Sequence, residues 1–314
     1  MKKRLMFIQD VPERKQRRRY RFFKYGFFVL LALFALFFYS QYDYLTFKIL
    51  ITQNYIFTDS LDTLYAEAVG IENVKSYWKN FDHFVIASAT EKIRMTSGDR
   101  YTALYTPQRS QRIKDTDIAV AQTAHYLPIS ADTVYVKLPN ISTNTRKFMQ
   151  DNKEAINAYD NLVLDVRGNY GGLLADHYRI AELFTAKGSI IGYERTRLSI
   201  FTNEIKNKRE PFFSFKQIII LMDNNTASAA EGLIWALRAN MDNVSLLGER
   251  TYGKGIGQVT IPLRRGYAVN ATVLLVEGPG GGSIHNRGIA PDITMEDEDD
   301  WIEAAAAAII EKNK

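Results

Sequence analysis

A single serine stands where a short apolar strand turns into a helix. The strand pattern covers Ile218-Ile-Ile-Leu-Met222, and the small segment Ala227-Ser228-Ala229-Ala230 begins a helical pattern soon after it. Serine is a preferred cap for a helix N-terminus, and small neighbours permit close packing of a helix on a sheet. The same position suits a nucleophile, because the helix dipole and free N–H groups stabilise negative charge. Choosing between these interpretations requires a base for Ser228.

The chain offers few such bases. None of its four histidines lies in a recognisable catalytic signature, and the G-x-S-x-G motif is missing around Ser228, so a histidine base stays a minor alternative. Cysteine is absent, which excludes thiol nucleophiles and cysteine-ligated metals. The histidines also lack metal-ligand spacing. The remaining candidate is a lysine in a glycine-rich loop.

Lys254 lies between Gly253 and Gly255. The loop that begins at Gly248 nearly matches a phosphate-binding loop, but Gly255 replaces the final Ser/Thr, and a strand pattern follows where a helix is needed. Nucleotide binding is therefore excluded. A buried lysine with a lowered pKa can accept the proton of a serine, whereas a solvated loop lysine cannot. The glycines favour a packed loop, and a Ser-Lys pair becomes a testable hypothesis.

A third segment, Asp165-Val-Arg-Gly-Asn-Tyr-Gly-Gly172, ends a buried strand pattern and opens a helical one. Glycines there permit positive φ angles and expose backbone N–H groups. The segment alone fits a tight turn, an anion site or an oxyanion hole.

Together these segments resemble the C-terminal processing peptidases, the tail-specific serine endopeptidases. ASAAE at 227–231 resembles their nucleophile motif, TYGKGIGQ at 251–258 their lysine motif, and LDVRGNYGG at 164–172 their oxyanion segment. SIHNRGIAPDI at 283–293 and GDRYTALYTP at 98–107 resemble two further family motifs. Five motifs in the family's order make the resemblance specific, and it spans about residues 45–312.

The resemblance implies a role for each matched residue and a substrate that is a protein or peptide. No metal or cofactor is implied. The alternative is a non-catalytic protein that binds peptides or cell-wall fragments on the same fold. The implied roles are Ser228 as nucleophile, Lys254 as general base, Gln258 as the residue that orients the lysine, Glu231 and Thr251 in support, and Gly171 or Gly172 with the N–H of Ala229 as the oxyanion hole.

This sequence departs from the family's pattern in two respects. The interval of 26 residues from Ser228 to Lys254 is about one residue longer than the family's, and the segment before the core is short. Only about two dozen residues separate Pro107 from the strand pattern near Ala131, which is too few for a separate domain. We therefore expect a variant without the PDZ domain that captures substrate C-termini in the family.

Alternating strand and helix patterns predict an α/β fold with a mainly parallel sheet and flanking helices. The resemblance implies that this core is of the ClpP/crotonase type. Helical patterns precede it, including one from Asp59 to Gly70 and another over 81–93. The polar stretch 194–215 reads as irregular, either a flap over the cleft or a surface hairpin. The predicted core helices are 142–158, 171–186, 228–240 and 301–312, and two strands are predicted at 257–263 and 267–276.

Charge and hydropathy are concentrated near the N-terminus. Residues 1–25 hold ten of the 40 basic residues but two of the 35 acidic ones, so the rest carries 30 basic and 33 acidic residues and is no nucleic-acid binder by charge. The uncharged stretch 25–42 has the length of a short membrane span and ends without a cleavage-site pattern. We therefore predict a basic cytoplasmic segment (1–24), a transmembrane signal anchor (25–42), a mostly helical region (43–128) and an extracytoplasmic peptidase core (129–314).

Overall fold

The computed structural model describes residues 6–56, 82–197, 202–295 and 300–312. The helices are α1 (Met6–Ser40), α2 (Tyr42–Ile49), α3 (Asp82–Ser97), α4 (Pro107–Ala121), α5 (Thr143–Asp151), α6 (Lys153–Ile156), α7 (Leu174–Ala181), α8 (Ala229–Asn240) and α9 (Trp301–Lys312). The strands are β1 (Ala103–Tyr105), β2 (His125–Pro128), β3 (Thr133–Lys137), β4 (Asn161–Asp165), β5 (Ile190–Thr196), β6 (Asn203–Lys206), β7 (Gln217–Met222), β8 (Val244–Gly248), β9 (Ile256–Pro262), β10 (Ala268–Glu277) and β11 (Ile293–Thr294).

Six strands form a sheet in the order β11-β8-β7-β4-β3-β2, in which only β2 runs antiparallel to its neighbour. Successive residues of a strand point to opposite faces. Leu162 and Leu164 of β4 therefore pack towards α5, α7 and α8, whereas Val163 packs towards α9. Helices on both faces explain why the inner strands are continuous apolar runs. The predicted α/β core with a mainly parallel sheet is confirmed.

A second, antiparallel sheet is not predicted by the sequence pattern. Strand β10 pairs with β1, β5 and β9, and β6 extends the sheet from β5. The predicted hairpin strands at 257–263 and 267–276 correspond to β9 and β10. Of the two alternatives for the polar stretch 194–215, the surface hairpin agrees with its first part, because Glu194 pairs with Asn203 across an antiparallel β5–β6 ladder, so the stretch is not irregular throughout. Strand β6 is short, polar and largely exposed, so it gives no apolar alternation to detect. Residues 198–201 lie outside the described residues.

The interval between Pro107 and β2 is filled by one helix, α4. Its Asp117 carbonyl accepts a hydrogen bond from Asn140 Nδ2 at 2.9 Å, and its Asp117 carboxylate accepts one from the Tyr170 hydroxyl at 2.6 Å. Within residues 82–197 the chain therefore contains no insertion of PDZ size, and α4 instead packs against the glycine turn near residue 170.

Two predicted core helices differ in their bounds. The helix predicted at 171–186 is the shorter α7, because Gly171 and Gly172 adopt φ angles of 96° and 150° that no helix contains. The helix predicted at 142–158 is divided into α5 and α6 by Asn152. The predicted helix at 81–93 corresponds to α3, and the one from Asp59 to Gly70 lies outside the described residues.

Helix α1 contains the apolar N-terminal segment. Its stretch Arg17–Ser40 is 24 residues long, and an 18-residue window within it has a mean hydropathy of 2.0 and is not buried against the rest of the protein. By length and composition it can cross a membrane. The helix ends at Ser40, inside the span predicted at 25–42, and α2 begins directly after it.

A buried carboxylate joins the end of this helix to the antiparallel sheet. Asp43 is fully buried and accepts hydrogen bonds from His83 Nε2 at 2.9 Å and from the backbone N–H of Arg264 at 3.1 Å. The Arg264 guanidinium lies 3.3 Å from the same carboxylate and donates to the carbonyl of Ser40 at 3.0 Å. We call Asp43, His83 and Arg264 the Asp43 latch. It fixes the C-terminal end of α1 to the turn between β9 and β10.

The Asp43→Ala substitution should lower the free energy of unfolding by about 3 kcal/mol, because it removes a fully buried carboxylate to which His83 and the Arg264 backbone donate and which balances the charge of the Arg264 guanidinium. Thermal and denaturant unfolding of the full chain in detergent measures this. The matched control is Asp160→Ala, which removes the partner of an exposed ion pair with Lys216 and should change stability little. Equal effects of the two substitutions would contradict a structural role for the latch.

Candidate active site

Ser228 occupies a strained turn between β7 and α8. Its backbone has φ 58° and ψ −120°, a conformation that residues other than glycine rarely adopt. Such strain costs on the order of 1–3 kcal/mol and persists where the surroundings hold it. Gly171 packs against this turn, since a Cβ there would lie 2.6 Å from the carbonyl oxygen of Ala227 and 2.9 Å from Ser228 Cβ. The glycine is needed so that two backbone segments can meet.

The Glu231 carboxylate connects this turn to the lysine loop. The side chain is fully buried. One oxygen accepts from the backbone N–H groups of Ser228 at 2.7 Å and Lys254 at 2.8 Å. The other accepts from the Thr251 hydroxyl at 2.6 Å and the Gly253 N–H at 2.7 Å. Four donors on two oxygens compensate for the desolvation of the carboxylate. Glu231 and Thr251, predicted as supporting residues, therefore lie between the predicted nucleophile and base.

Lys254 and Ser228 line the same pocket. Burial lowers the pKa of Lys254 below its ordinary value, and the nearby Asp99 and Glu231 carboxylates oppose that shift. Its Nζ lies 4.1 Å from the centroid of the Tyr101 ring. In the described part of the chain, the amine makes this contact rather than a hydrogen bond with the Ser228 hydroxyl.

Gln258 makes no hydrogen bond to Lys254 among the described residues. Its amide Nε2 donates to Thr272 Oγ1 at 3.3 Å, and the Thr272 hydroxyl donates to Asp99 Oδ1 at 3.1 Å. Asp99 is itself buried, and it accepts hydrogen bonds from the backbone N–H groups of Tyr101 and Thr102. Asp99 and Tyr101 are thus neighbours of the lysine to which sequence reasoning assigned no role. Their position in the segment GDRYTALYTP, which resembles a family motif, could have indicated such a role.

The three predicted oxyanion residues, Gly171, Gly172 and Ala229, differ in their backbone geometry and in whether their N–H groups already donate a hydrogen bond. The Gly171 N–H donates to Asn169 Oδ1 at 2.9 Å and is therefore occupied. Ala229 is the first residue of α8, so its N–H has no partner within the helix. Gly172 has φ 150°, and a Cβ there would lie 1.9 Å from the Ile141 carbonyl oxygen, which only glycine tolerates.

Asn169 holds the glycine turn in place, a role that the sequence analysis did not predict. It is fully buried, its Nδ2 donates to the Leu138 carbonyl at 2.8 Å, and its own carbonyl accepts from the Ala227 N–H at 2.9 Å. The turn that follows β4 and the turn before α8 are therefore joined by side-chain and backbone hydrogen bonds.

His177 and His285 are poorly suited to act as a general base, because burial lowers the pKa of both. His177 also lines the pocket, but burial lowers its pKa to about 3, so that it is a weak proton acceptor at neutral pH. Burial also lowers the pKa of His285. Within the described residues, no group of three or more His, Asp or Glu side chains is arranged to hold a metal ion.

Comparison with known proteins assigns this arrangement to a family. The chain is 30% identical over 174 residues to the chloroplastic C-terminal processing peptidase of Tetradesmus obliquus, covering 52% of this chain and 35% of that protein. It is 32% identical over 164 residues to the carboxyl-terminal-processing protease of Synechocystis, covering 52% of this chain and 38% of that protein. The chain thus spans well under half the length of these relatives.

A solved lipoprotein structure from Streptococcus agalactiae shares the fold with a TM-score of 0.67 at 14% identity, covering 87% of this chain and 96% of that one. The sequence model of peptidase family S41 matches residues 132–295, which include the glycine turn, Ser228 and the lysine loop. The chain therefore belongs to peptidase family S41.

Proposed function

We propose that this chain is a membrane-anchored serine endopeptidase that hydrolyses peptide bonds outside the cytoplasm through Ser228 and Lys254. The observation that carries the proposal is the shared pocket, in which a serine in a strained turn faces a buried lysine whose pKa is lowered. Family membership supports a protein or peptide substrate.

In the proposed reaction, Ser228 Oγ attacks the substrate carbonyl carbon while neutral Lys254 accepts the hydroxyl proton. The oxyanion that forms accepts hydrogen bonds from the N–H groups of Ala229 and Gly172. The C–N bond then breaks, and Lys254 returns the proton to the leaving amine. Water attacks the resulting acyl-enzyme with Lys254 again as base, which releases the acid and regenerates Ser228.

Lys254 must move before it can act. Its Nζ lies over the Tyr101 ring, and rotation about the lysine side-chain bonds would bring the amine towards Ser228. The loop backbone does not need to follow, because Glu231 holds the Lys254 N–H in place. We assign Gln258 an indirect role through Thr272 and Asp99, which lies near the resting amine.

One observation favours the second candidate, a non-catalytic peptide-binding protein. The Lys254 amine contacts Tyr101 instead of Ser228, so the described conformation is not ready for proton transfer. Labelling of Ser228 by a serine-reactive probe separates the two candidates, because a binding protein has no activated hydroxyl.

A fluorophosphonate probe should label the wild-type protein and not Ser228→Ala.

Lys254→Ala should lower kcat/KM for peptide hydrolysis by about 100-fold or more, because the general base is lost. Lys254→Arg should lower kcat/KM by a similar factor, since a guanidinium stays charged and cannot accept the serine proton. Lys216→Ala, which removes an exposed lysine, is the control and should retain activity. Activity of Lys254→Ala within a few-fold of wild type would remove this lysine from the mechanism.

The kcat/KM should rise with pH, because only the neutral amine of Lys254 accepts a proton. Burial places the midpoint of this rise below the ordinary lysine pKa of 10.5. The Asp99 carboxylate favours the protonated amine, so Asp99→Asn should move the midpoint to lower pH. The exposed Asp115→Asn serves as the control and should leave it unchanged. A midpoint that stays in place or rises in Asp99→Asn contradicts this assignment of the base.

Membrane topology is tested with an epitope at each end of the full chain. The basic N-terminus favours a cytoplasmic location for residues 1–24, with the core on the other side. A protease added to intact cells or spheroplasts should therefore remove the C-terminal epitope and spare the N-terminal one. Permeabilised cells are the control, in which both epitopes are lost. Protection of the C-terminal epitope in intact cells would reverse the orientation.

A further inference from the structure

The space beside Ser228 is closed in the described conformation. Its free volume is about 10 Å³, which is room for about one water molecule and not for a side chain of a peptide. Lys254 and Ile256 form part of its wall. A peptide side chain can therefore enter this space only after part of the wall has moved.

A second, larger cavity adjoins this closed space. It has a volume of about 520 Å³, and Arg100, Tyr101, Tyr252 and Ile256 are among the residues that line it. The two spaces are neighbours, because Ile256 lines both. Lys254 belongs to the wall of the small space, and its Nζ lies 4.1 Å from the centroid of the Tyr101 ring. The contact between the amine and the ring therefore lies at the boundary between a closed space and an open one.

The backbone of Tyr101 is held on both sides of its Cα atom. The Tyr101 N–H donates to Asp99 Oδ1 at 2.9 Å, and the Tyr101 carbonyl accepts from Asn270 Nδ2 at 2.9 Å. Because the backbone is fixed, the ring can leave the lysine by rotation about the side-chain bonds of Tyr101. The cavity that the same ring lines provides the space for this rotation.

The ring stabilises the lysine in an unproductive position. An ammonium over the face of an aromatic ring is attracted to it, and the attraction is larger where water is excluded. The outer end of the ring is held by the lysine loop, because burial and a hydrogen bond with the Tyr252 hydroxyl raise the pKa of Tyr101 above its ordinary value. The attraction depends on the charge of the amine. The contact therefore opposes both the approach of Lys254 to Ser228 and the loss of its proton.

We propose that Tyr101 is a gate on the active site. Its ring holds Lys254 away from Ser228, and an arriving substrate displaces the ring into the neighbouring cavity, which releases the base and opens the space beside the serine. The proposal rests on the proposed function. Tyr101 acts through Lys254 and is therefore a positioning residue. Because the closed space admits no peptide side chain, substrate binds only the open form, and the ring weakens the apparent affinity for substrate.

The first test measures kcat and KM of the full chain in detergent with fluorescein-labelled casein. Tyr101→Leu should lower KM by about 10-fold and keep kcat within about twofold, because loss of the contact between ammonium and ring raises the fraction of the open form. Tyr101→Phe retains the ring and should restore most of the wild-type KM. The matched control is Tyr105→Leu, which removes a similar ring contact with Arg109 and should leave KM unchanged.

A KM in folded Tyr101→Leu that equals or exceeds that of the wild type would overturn the proposal, whatever happens to kcat. A merely structural role for the ring predicts this result, since a distorted site does not bind substrate more tightly. Circular dichroism establishes that each variant is folded.

The second test fills the cavity. The chain contains no cysteine, so Arg100→Cys places a single thiol at the cavity wall. Benzyl methanethiosulfonate adds a ring there and should raise KM by about 10-fold relative to unmodified Arg100→Cys, because Tyr101 loses the space into which it rotates. When Tyr101→Leu is also present, the same modification should leave KM nearly unchanged. Equal effects in the two backgrounds would contradict rotation of the ring into this cavity.

Failure of the proposed function is recognised separately. If casein is not cleaved and Ser228 is not labelled in either wild type or Tyr101→Leu, the proposed function fails. Acetylation by acetic anhydride in Ser228→Ala, read by mass spectrometry as the ratio of Lys254 to the exposed Lys216, then decides the gate. Adding Tyr101→Leu should raise this ratio by about 10-fold, as loss of the ring contact predicts. An unchanged ratio would show that the ring does not hold the amine.

Discussion

The Glu231 carboxylate is the interaction on which the rest of the site depends. A buried charge is costly, and this one is tolerated because four donors from two distant segments converge on it. Three of the donors are on the lysine loop, and the fourth is the N–H of Ser228. The carboxylate therefore links Ser228, the proposed nucleophile, to the loop of Lys254, the proposed base, through backbone atoms.

The turns around Ser228 are likewise held by contacts between distant backbone segments. A positive φ angle at a serine persists only if neighbouring backbone prevents relaxation. Gly171 provides the close contact, and Asn169 holds Gly171 with one hydrogen bond while its carbonyl holds Ala227. The strand ends, the glycine turns and the start of α8 are thus held together by close backbone contacts and hydrogen bonds on one side of the pocket that Lys254 also lines.

Sequence patterns predicted the parallel core because its strands are continuous apolar runs between helices. They also placed Ser228 correctly at a helix start, Lys254 in a loop and the glycine turn at a strand end. They did not predict contacts between residues far apart in the chain. Tyr101 and Asp99 reach Lys254 from more than 150 positions away in the chain, and the pattern around the lysine loop does not indicate them. The β5–β6 pairing was missed because it is formed by polar edge residues with weak propensity.

The Asp43 latch has a consequence for which bonds such an enzyme can reach. Strand β9 runs from the lysine loop to the turn that the latch holds at the end of α1, and its seven residues span about 20 Å. With α1 in a membrane, as we propose, the reacting serine lies no more than a few tens of ångströms from the lipid surface, whatever the tilt of the strand. An extended chain covers about 3.5 Å per residue, so a membrane-embedded substrate needs a tether of roughly ten residues to arrive there. On the proposed topology, the latch limits the distance between Ser228 and the bilayer, and we expect exposed segments just outside the bilayer to be cleaved in preference to bonds in distant domains.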